Sequence, residues 1–197
     1  PAKGDGQLLF MLNGLAKLKD DGQMAIIQNG SSLFNGDAGS GPSEIRRYLI
    51  ENDWLDAIVQ LPNNAFYNTP IETYIWIVMK NKSVTHQGKV QLIDASACAS
   101  SRRKNIGEKK VDITKACRDL IIEAYGGYVD GTYNGVDEKD NAIVVKSKVM
   151  DAIDLGYNKI VVETPQVDEG GDVVMKKKKP VADTSKRDTE NVPLAED

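Results

Sequence analysis

Leu61-Pro62-Asn63-Asn64-Ala65-Phe66-Tyr67-Asn68-Thr69-Pro70-Ile71, continuing through Glu72-Thr73-Tyr74-Ile75-Trp76-Ile77-Val78-Met79 to Lys82, decides the fold. Residues 55–61 end an apolar strand, Pro62-Asn63-Asn64 form a turn, and residues 71–79 make a second, strongly apolar strand. Only nine residues lie between Leu61 and Ile71. A parallel return needs a dozen or more, so the second strand runs antiparallel to the first. Between them sits a polar and aromatic knot, Phe66-Tyr67-Asn68-Thr69-Pro70. One reading is a loop that carries chemistry between rigid strands. The other is an ordinary hairpin whose aromatics plug the end of a core.

Upstream, Leu8, Met11, Leu12 and Leu15 recur at helical spacing, which predicts a helix over 7–19 capped by Asp5-Gly6 and stopped by Asp20-Asp21-Gly22. Residues 24–27, Met-Ala-Ile-Ile, read as a strand buried on both faces. In an open parallel sheet its carboxyl end faces the ligand crevice, which puts Asn29-Gly30-Ser31-Ser32 at the rim. A flexible turn at Asn29-Gly30 is the alternative. Residues 29–42 stay polar and glycine-rich. Ser43 caps a helix over 44–52, with Ile45, Tyr48 and Leu49 inward and Arg46 and Arg47 on a solvated face. Strand, helix, strand from 24 to 61 fits a parallel crossover. Ala57, Val59 and Leu61 alternate against Asp56 and Gln60.

Downstream, 81–88 is a polar turn with the single histidine, His86, read as surface decoration. Residues 89–94 form a strand that pairs with its predecessor as a hairpin. Residues 100–110 are charged and loop-like. A helix from Asp112 to about Tyr125 turns Ile113, Ala116, Leu120 and Ile121 inward and ends at Gly126-Gly127. No element is assigned to 128–145. Residues 146–154 are a short helix or loop, and 157–163 read as a strand. The organisation is therefore 1–100 as the core domain, 101–165 as a mixed α/β extension, and 166–197 as a polar tail, disordered or partner-dependent.

A hydrophobic content of 41% supports a real core, and a net charge of −4 gives no global basic surface. Contact with nucleic acid has to be local. Cys98 and Cys117 fit neither a metal spacing nor a disulfide framework, and they suit a reducing compartment as buried thiols. With no long apolar run and no signal pattern, the expectation is a cytoplasmic protein without a metal.

These residues, taken together, resemble the modification (methyltransferase) subunit of type I restriction-modification systems. The resemblance rests on Asp5-Gly6-Gln7-Leu8-Leu9-Phe10, Asn29-Gly30-Ser31-Ser32-Leu33-Phe34, residues 45–62, Phe66-Tyr67-Asn68-Thr69, residues 88–95, residues 156–165 and Arg187-Asp188-Thr189-Glu190-Asn191-Val192-Pro193. It implies an α/β fold: the C-terminal half of a Rossmann-like S-adenosylmethionine-dependent methyltransferase sheet, parallel strands plus one antiparallel strand, then a mixed extension. The family's donor-binding glycine loop and its Asn-Pro-Pro-aromatic catalytic motif do not occur in the chain. The resemblance therefore implies a C-terminal portion with no catalytic residue and no cofactor-binding residue of its own, inactive alone.

For the intact subunit the resemblance implies adenine-N6 methylation of DNA with S-adenosylmethionine, and assembly with a specificity subunit and a restriction (nuclease-translocase) subunit. Methylating that amine requires the base to leave the duplex. The loop at 64–69 maps to one wall of the base pocket, with Phe66 as the stacking ring and Tyr67 second. Asn68 orients the base edge or the loop, and Asn29 and Ser31 line the rim more distantly. The alternative is a non-enzymatic subunit-interaction module. A further expectation is that the strand at 24–27 forms a free apolar edge through which the chain associates.

Overall fold

The computed structural model describes residues 6–194. Two compact units divide it, one reaching to Ala152 and one starting at Ile153; the sequence placed its boundaries at 100 and 165. Asp5, expected to cap the first helix, lies outside the described residues.

In chain order the first unit contains α1 (Gly6–Lys17), β1 (Gln23–Asn29), α2 (Ser31–Phe34), α3 (Gly41–Glu51), β2 (Leu55–Leu61), β3 (Thr73–Met79) and β4 (Lys89–Asp94). It continues with β5 (Ser100–Ile106), β6 (Lys109–Asp112), α4 (Lys115–Gly127), β7 (Gly131–Val136) and β8 (Ala142–Asp151). The six-stranded sheet runs β1-β3-β2-β4-β8-β7. β3 is antiparallel to both β1 and β2, as the short 62–70 connection required, so β1 and β2 run in one direction. β4 does not pair with β3. It lies on the far side of β2 and parallel to it, with Ala57 opposite Gln91.

That placement depends on the 80–88 connection passing beneath β2. Lys82, with only 1% of its side chain exposed, donates to Asp53 Oδ1 at 2.6 Å and to the Lys89 carbonyl at 2.6 Å. Asp53 Oδ2 accepts from the Gly88 amide. His86 is a structural residue, not surface decoration. Its Nδ1 lies 2.9 Å from Oδ1 of fully buried Asp56, and its ring stacks on Tyr128 at 3.4 Å between centroids. The register of β2 against β3 shifts between Leu55 and Ala57, which makes Asp56 the extra residue of a bulge. Bulges re-aim a side chain, and here Asp56 Oδ2 accepts from the Tyr125 hydroxyl at 2.6 Å.

Strand alternation gives the sheet two covered faces. α1 lies against β1 so closely that a Cβ on Gly14 would meet Met24 Sδ at 2.3 Å. Leu8, Met11 and Leu15 are buried on this side with Trp76 and Val78. On the other face Val59, Leu61, Ile93, Ile143 and Val145 pack with Cys117, Leu120 and Ala124 of α4. Both cysteines are free and buried, as expected.

Several elements differ from the sequence reading. Residues 100–112 form the β5–β6 ribbon rather than a charged loop. The cap of α4 is Thr114, whose hydroxyl accepts from the Cys117 amide, and not Asp112. Ser40, not Ser43, precedes α3, where Pro42 occupies the first turn. Residues 131–151 are the β7–β8 hairpin, closed by Asp137, which accepts from the amides of Lys139 and Asn141. Apolar residues are sparse in Gly131–Val136, and glycine, asparagine and aspartate are scattered through 130–141, so turn signals masked the strand pattern.

The second unit pairs β9 (Tyr157–Val162), the strand expected at 157–163, with β12 (Asp188–Pro193). Between them β10 (Met175–Lys176) and β11 (Lys179–Pro180) form a tight turn through Lys177 and Lys178, both at positive φ. The described part of the polar 166–197 stretch thus has backbone pairing. Among the described residues no helix is long and apolar enough to cross a membrane.

Candidate functional site: the loop at the carboxyl edge of the sheet

Register brings the predicted residues to one edge. Asn29 at the end of β1 and Leu61 at the end of β2 both lie opposite Thr73, the first residue of β3. With strands ~4.8 Å apart, the two strand ends stand about 10 Å from one another. β4 ends at the same edge, where the Ala95 amide bonds the Gln60 carbonyl. This is the crevice end of an open α/β sheet.

Asn29 and Ser31 are tied together. Asn29 Oδ1 accepts from both the amide and the hydroxyl of Ser31, while the Asn29 amide donates to Gln7 Oε1 and Gln7 Nε2 donates to Ser31 Oγ. α1 therefore holds this turn. Arg46, read as solvated, donates to the Ser32 carbonyl at 3.2 Å, whereas Arg47 does pair on the surface with Glu44 and Glu51.

The 62–70 loop is held from two sides. Asn64 adopts φ 58°, its amide bonds the Pro70 carbonyl, and its side chain donates to the Glu108 carbonyl. From the β5–β6 ribbon the Glu108 amide bonds the Tyr67 carbonyl at 2.9 Å, and the Lys110 amide bonds the Asn64 carbonyl at 3.0 Å. Gly107 turns the ribbon at φ +56°, and a Cβ there would stand 2.5 Å from the Tyr67 carbonyl oxygen, so both conformation and space require glycine.

The three loop side chains have different surroundings. Phe66 is half-buried and packs against the α4-side core. Tyr67 is 60% exposed, with Lys109 Nζ 5.1 Å from its ring centroid, so a cation already covers one face. Asn68 is exposed at the tip. Among the described residues no hydrogen bond joins Phe66, Tyr67 or Asn68 to the Asn29–Ser31 cluster.

Two features of the edge escaped the sequence. Thr73 is 5% exposed, yet its hydroxyl has no hydrogen-bond partner, between the two strand ends. The β5–β6 ribbon beside the loop is the second. Its signal was Gly107 flanked by two charged runs, a hairpin pattern that the lack of apolar alternation hid. Titratable groups at the edge are set by local bonds. Burial and a hydrogen bond to Glu72 push the Tyr74 hydroxyl up to about 12. Hydrogen bonds from Ser96 hold the Asp94 carboxyl below its usual range.

The strand-to-helix turn at this edge is β1 into α2, a helix of four residues. Gly30 lies at φ −60°, and the Ser31 amide is committed to Asn29 Oδ1. Among the described residues no group of three or more His, Cys, Asp or Glu could hold a metal ion.

A mixed sheet with an antiparallel strand inserted between two co-directed ones is consistent with the Rossmann-like methyltransferase fold. The N-6 DNA Methylase family model matches residues 1–165, and the chain belongs to that family. It is 31% identical over 108 residues to the type I restriction enzyme MjaIX methylase subunit of Methanocaldococcus jannaschii, a match covering 54% of this chain and 19% of the relative. It is 30% identical over 95 residues to the type I restriction enzyme HindI methylase subunit of Haemophilus influenzae, covering 48% of this chain and 20% of that protein. Among solved structures, a type I restriction-modification methyltransferase subunit from Streptococcus thermophilus superposes with a TM-score of 0.61 at 28% identity. That match covers 77% of this chain and 28% of the other. The matched stretch is thus about a fifth of the length of these curated relatives.

Proposed function

We propose that this chain forms one wall of the base pocket in a type I DNA adenine-N6 methyltransferase, with the methyl donor held by residues outside it. The observation that carries this reading is the 62–70 loop, fixed at the carboxyl edge by β3 on one side and the β5–β6 ribbon on the other. An extruded adenine needs a rigid apolar face to replace its lost stacking, and a loop clamped through Asn64 and Tyr67 supplies one without reorganising. Phe66 is the wall. Its ring is anchored in the core, whereas Lys109 already covers one face of Tyr67. Asn68 stands at the tip, in reach of a base edge, and Asn29 and Ser31 line the rim. The chain's own part is binding and orientation; it supplies no group that takes the amine proton.

Stacking on an aromatic contributes about 1–3 kcal/mol per base, or about 5- to 150-fold in rate where it acts in the transition state. Because Phe66 also packs in the core, Phe66→Leu is a cleaner probe than Phe66→Ala: it keeps apolar volume and removes the ring. In the whole subunit, Phe66→Leu should lower methyl transfer to duplex DNA within that range while assembly with partner subunits, followed by size exclusion, stays intact. Unchanged transfer with Phe66→Leu would remove Phe66 from the pocket.

A second reading, a subunit-interaction module, is supported by the β9–β12 ribbon. Ile160, Val161, Val162 and Val192 are all exposed on it. Exposed apolar residues on a two-stranded ribbon suit a protein partner, here the specificity or restriction subunit of a type I complex. The two readings are compatible.

A further inference from the structure

In an acidic chain, the β5–β6 ribbon concentrates the opposite charge: Arg102, Arg103, Lys104, Lys109 and Lys110 against Glu108 and Asp112. These cations fall into two sets. Arg102 Nη1 lies 2.5 Å from Asp112 Oδ1 and Lys109 Nζ 3.2 Å from the same oxygen, so one carboxylate straps the two strands together. The Arg102 guanidinium holds the Asp112 carboxyl below its usual range. Arg103, Lys104 and Lys110 are exposed and, among the described residues, have no ion-pair partner. A ribbon that neutralises two of its cations internally and leaves three in water is built to meet a polyanion.

Its position says which one. The ribbon and the aromatic loop are one rigid piece, joined by Glu108 to Tyr67, by Lys110 to Asn64, and by the close approach of Gly107. A residue in register with Lys110 therefore keeps a fixed distance from Phe66. We infer that the β5–β6 ribbon grips the phosphate backbone of duplex DNA beside the extruded base through Arg103, Lys104 and Lys110. This deepens the base-wall reading and rests on it. Extruding a base leaves the flanking phosphates the only rigid feature of the strand near the pocket. Three cations on a two-stranded ribbon span a stretch of backbone without reading sequence. The contact positions the duplex and does not specify it.

The test measures binding of the intact subunit to a short duplex by fluorescence anisotropy across a salt series. Each phosphate contact contributes about 0.9 to the slope of log affinity against log salt. Arg103→Gln, Lys104→Gln and Lys110→Gln together should flatten that slope by about 2–3 and weaken binding at low salt at least tenfold. The charge-preserving set Arg103→Lys, Lys104→Arg and Lys110→Arg should restore it. An unchanged slope in the triple glutamine variant overturns the inference, and so does loss of slope in the charge-preserving set, which would mean shape rather than charge. If the slope is unchanged and the glutamine variant instead fails to assemble with partner subunits, the ribbon meets an acidic protein surface and the DNA contact is wrong. Phe66→Leu in the same assay separates the two proposals. It should keep the slope while lowering methyl transfer, so a failure of the base wall and a failure of the ribbon leave different records.

Discussion

At the scale of single residues, the main surprise is how many polar side chains are buried in pairs. Sequence reading placed His86 and Lys82 on a solvated turn, because both stand among polar neighbours. Their partners lie far along the chain: Asp53 and Asp56 about thirty residues before, and for His86 the Tyr128 ring some forty after. No local pattern reports that. Asp56 itself was legible only as the polar half of an alternation, and the bulge that turns it toward Tyr125 is a property of pairing. The consequence is measurable in alkali. Burial, followed by the Asp56 hydrogen bond, raises the Tyr125 hydroxyl above the ordinary tyrosine range. Burial and the charges of Asp56 and Asp53 raise Tyr128 likewise. An acid whose folded value lies above its unfolded value of about 10 stabilises the fold while it stays protonated. That contribution is complete below about pH 10 and is lost as pH rises further. Tyr125→Phe should cost about 1–3 kcal/mol at neutral pH, since it removes a donor from a buried carboxyl. It should also make the loss of melting temperature above pH 10 shallower than in the parent. Parallel alkaline profiles would mean that Tyr125 ionises as freely in the folded state as in the unfolded one.

At the scale of elements, the strands with apolar runs were legible and the polar ones were not. β2 and β3 were set by composition, and the nine-residue connection fixed their relative direction. β5 and β6 carry consecutive charged residues, Arg102-Arg103-Lys104 and Lys109-Lys110, and β7 and β8 mix glycine, asparagine and lysine among their apolar residues, so no clean period-two pattern appears although the strands pair. β1 raises a different matter. It forms one edge of the sheet, paired on one side with β3 and on the other with no strand among the described residues. Ile27 on that strand is 52% exposed. An exposed apolar edge is a template for pairing with another chain. This chain should therefore self-associate with rising concentration in light scattering. Ile27→Lys, which puts a charge on the exposed face at little cost to the core, should shift it toward monomer. A parent that remains a monomer at high concentration would show the edge to be protected by its own twist and length.

At the scale of the whole molecule, the six-stranded sheet collects the ends of β1, β2 and β4 at one edge and closes the other with the Lys82, Asp53 and His86 contacts. The carboxyl edge has an aromatic loop, an exposed asparagine and a basic ribbon. What it lacks among the described residues is a glycine-opened turn leading from a strand into a helix long enough to face a charged cofactor. Of the three strands that end there, β2 leads into the aromatic loop, β4 into β5, and β1 into α2, a four-residue helix whose first amide is already used. On the proposed reading that arrangement orients a base, and residues elsewhere hold the methyl donor. Calorimetric titration of S-adenosylmethionine into this chain should accordingly give no heat of binding, while the whole subunit should bind it. Micromolar binding to the chain alone would place a cofactor site inside residues 1–197. The unpartnered Thr73 hydroxyl between β1 and β2 is then the first group to remove: Thr73→Val would abolish a binding that used that edge and leave untouched one that used another.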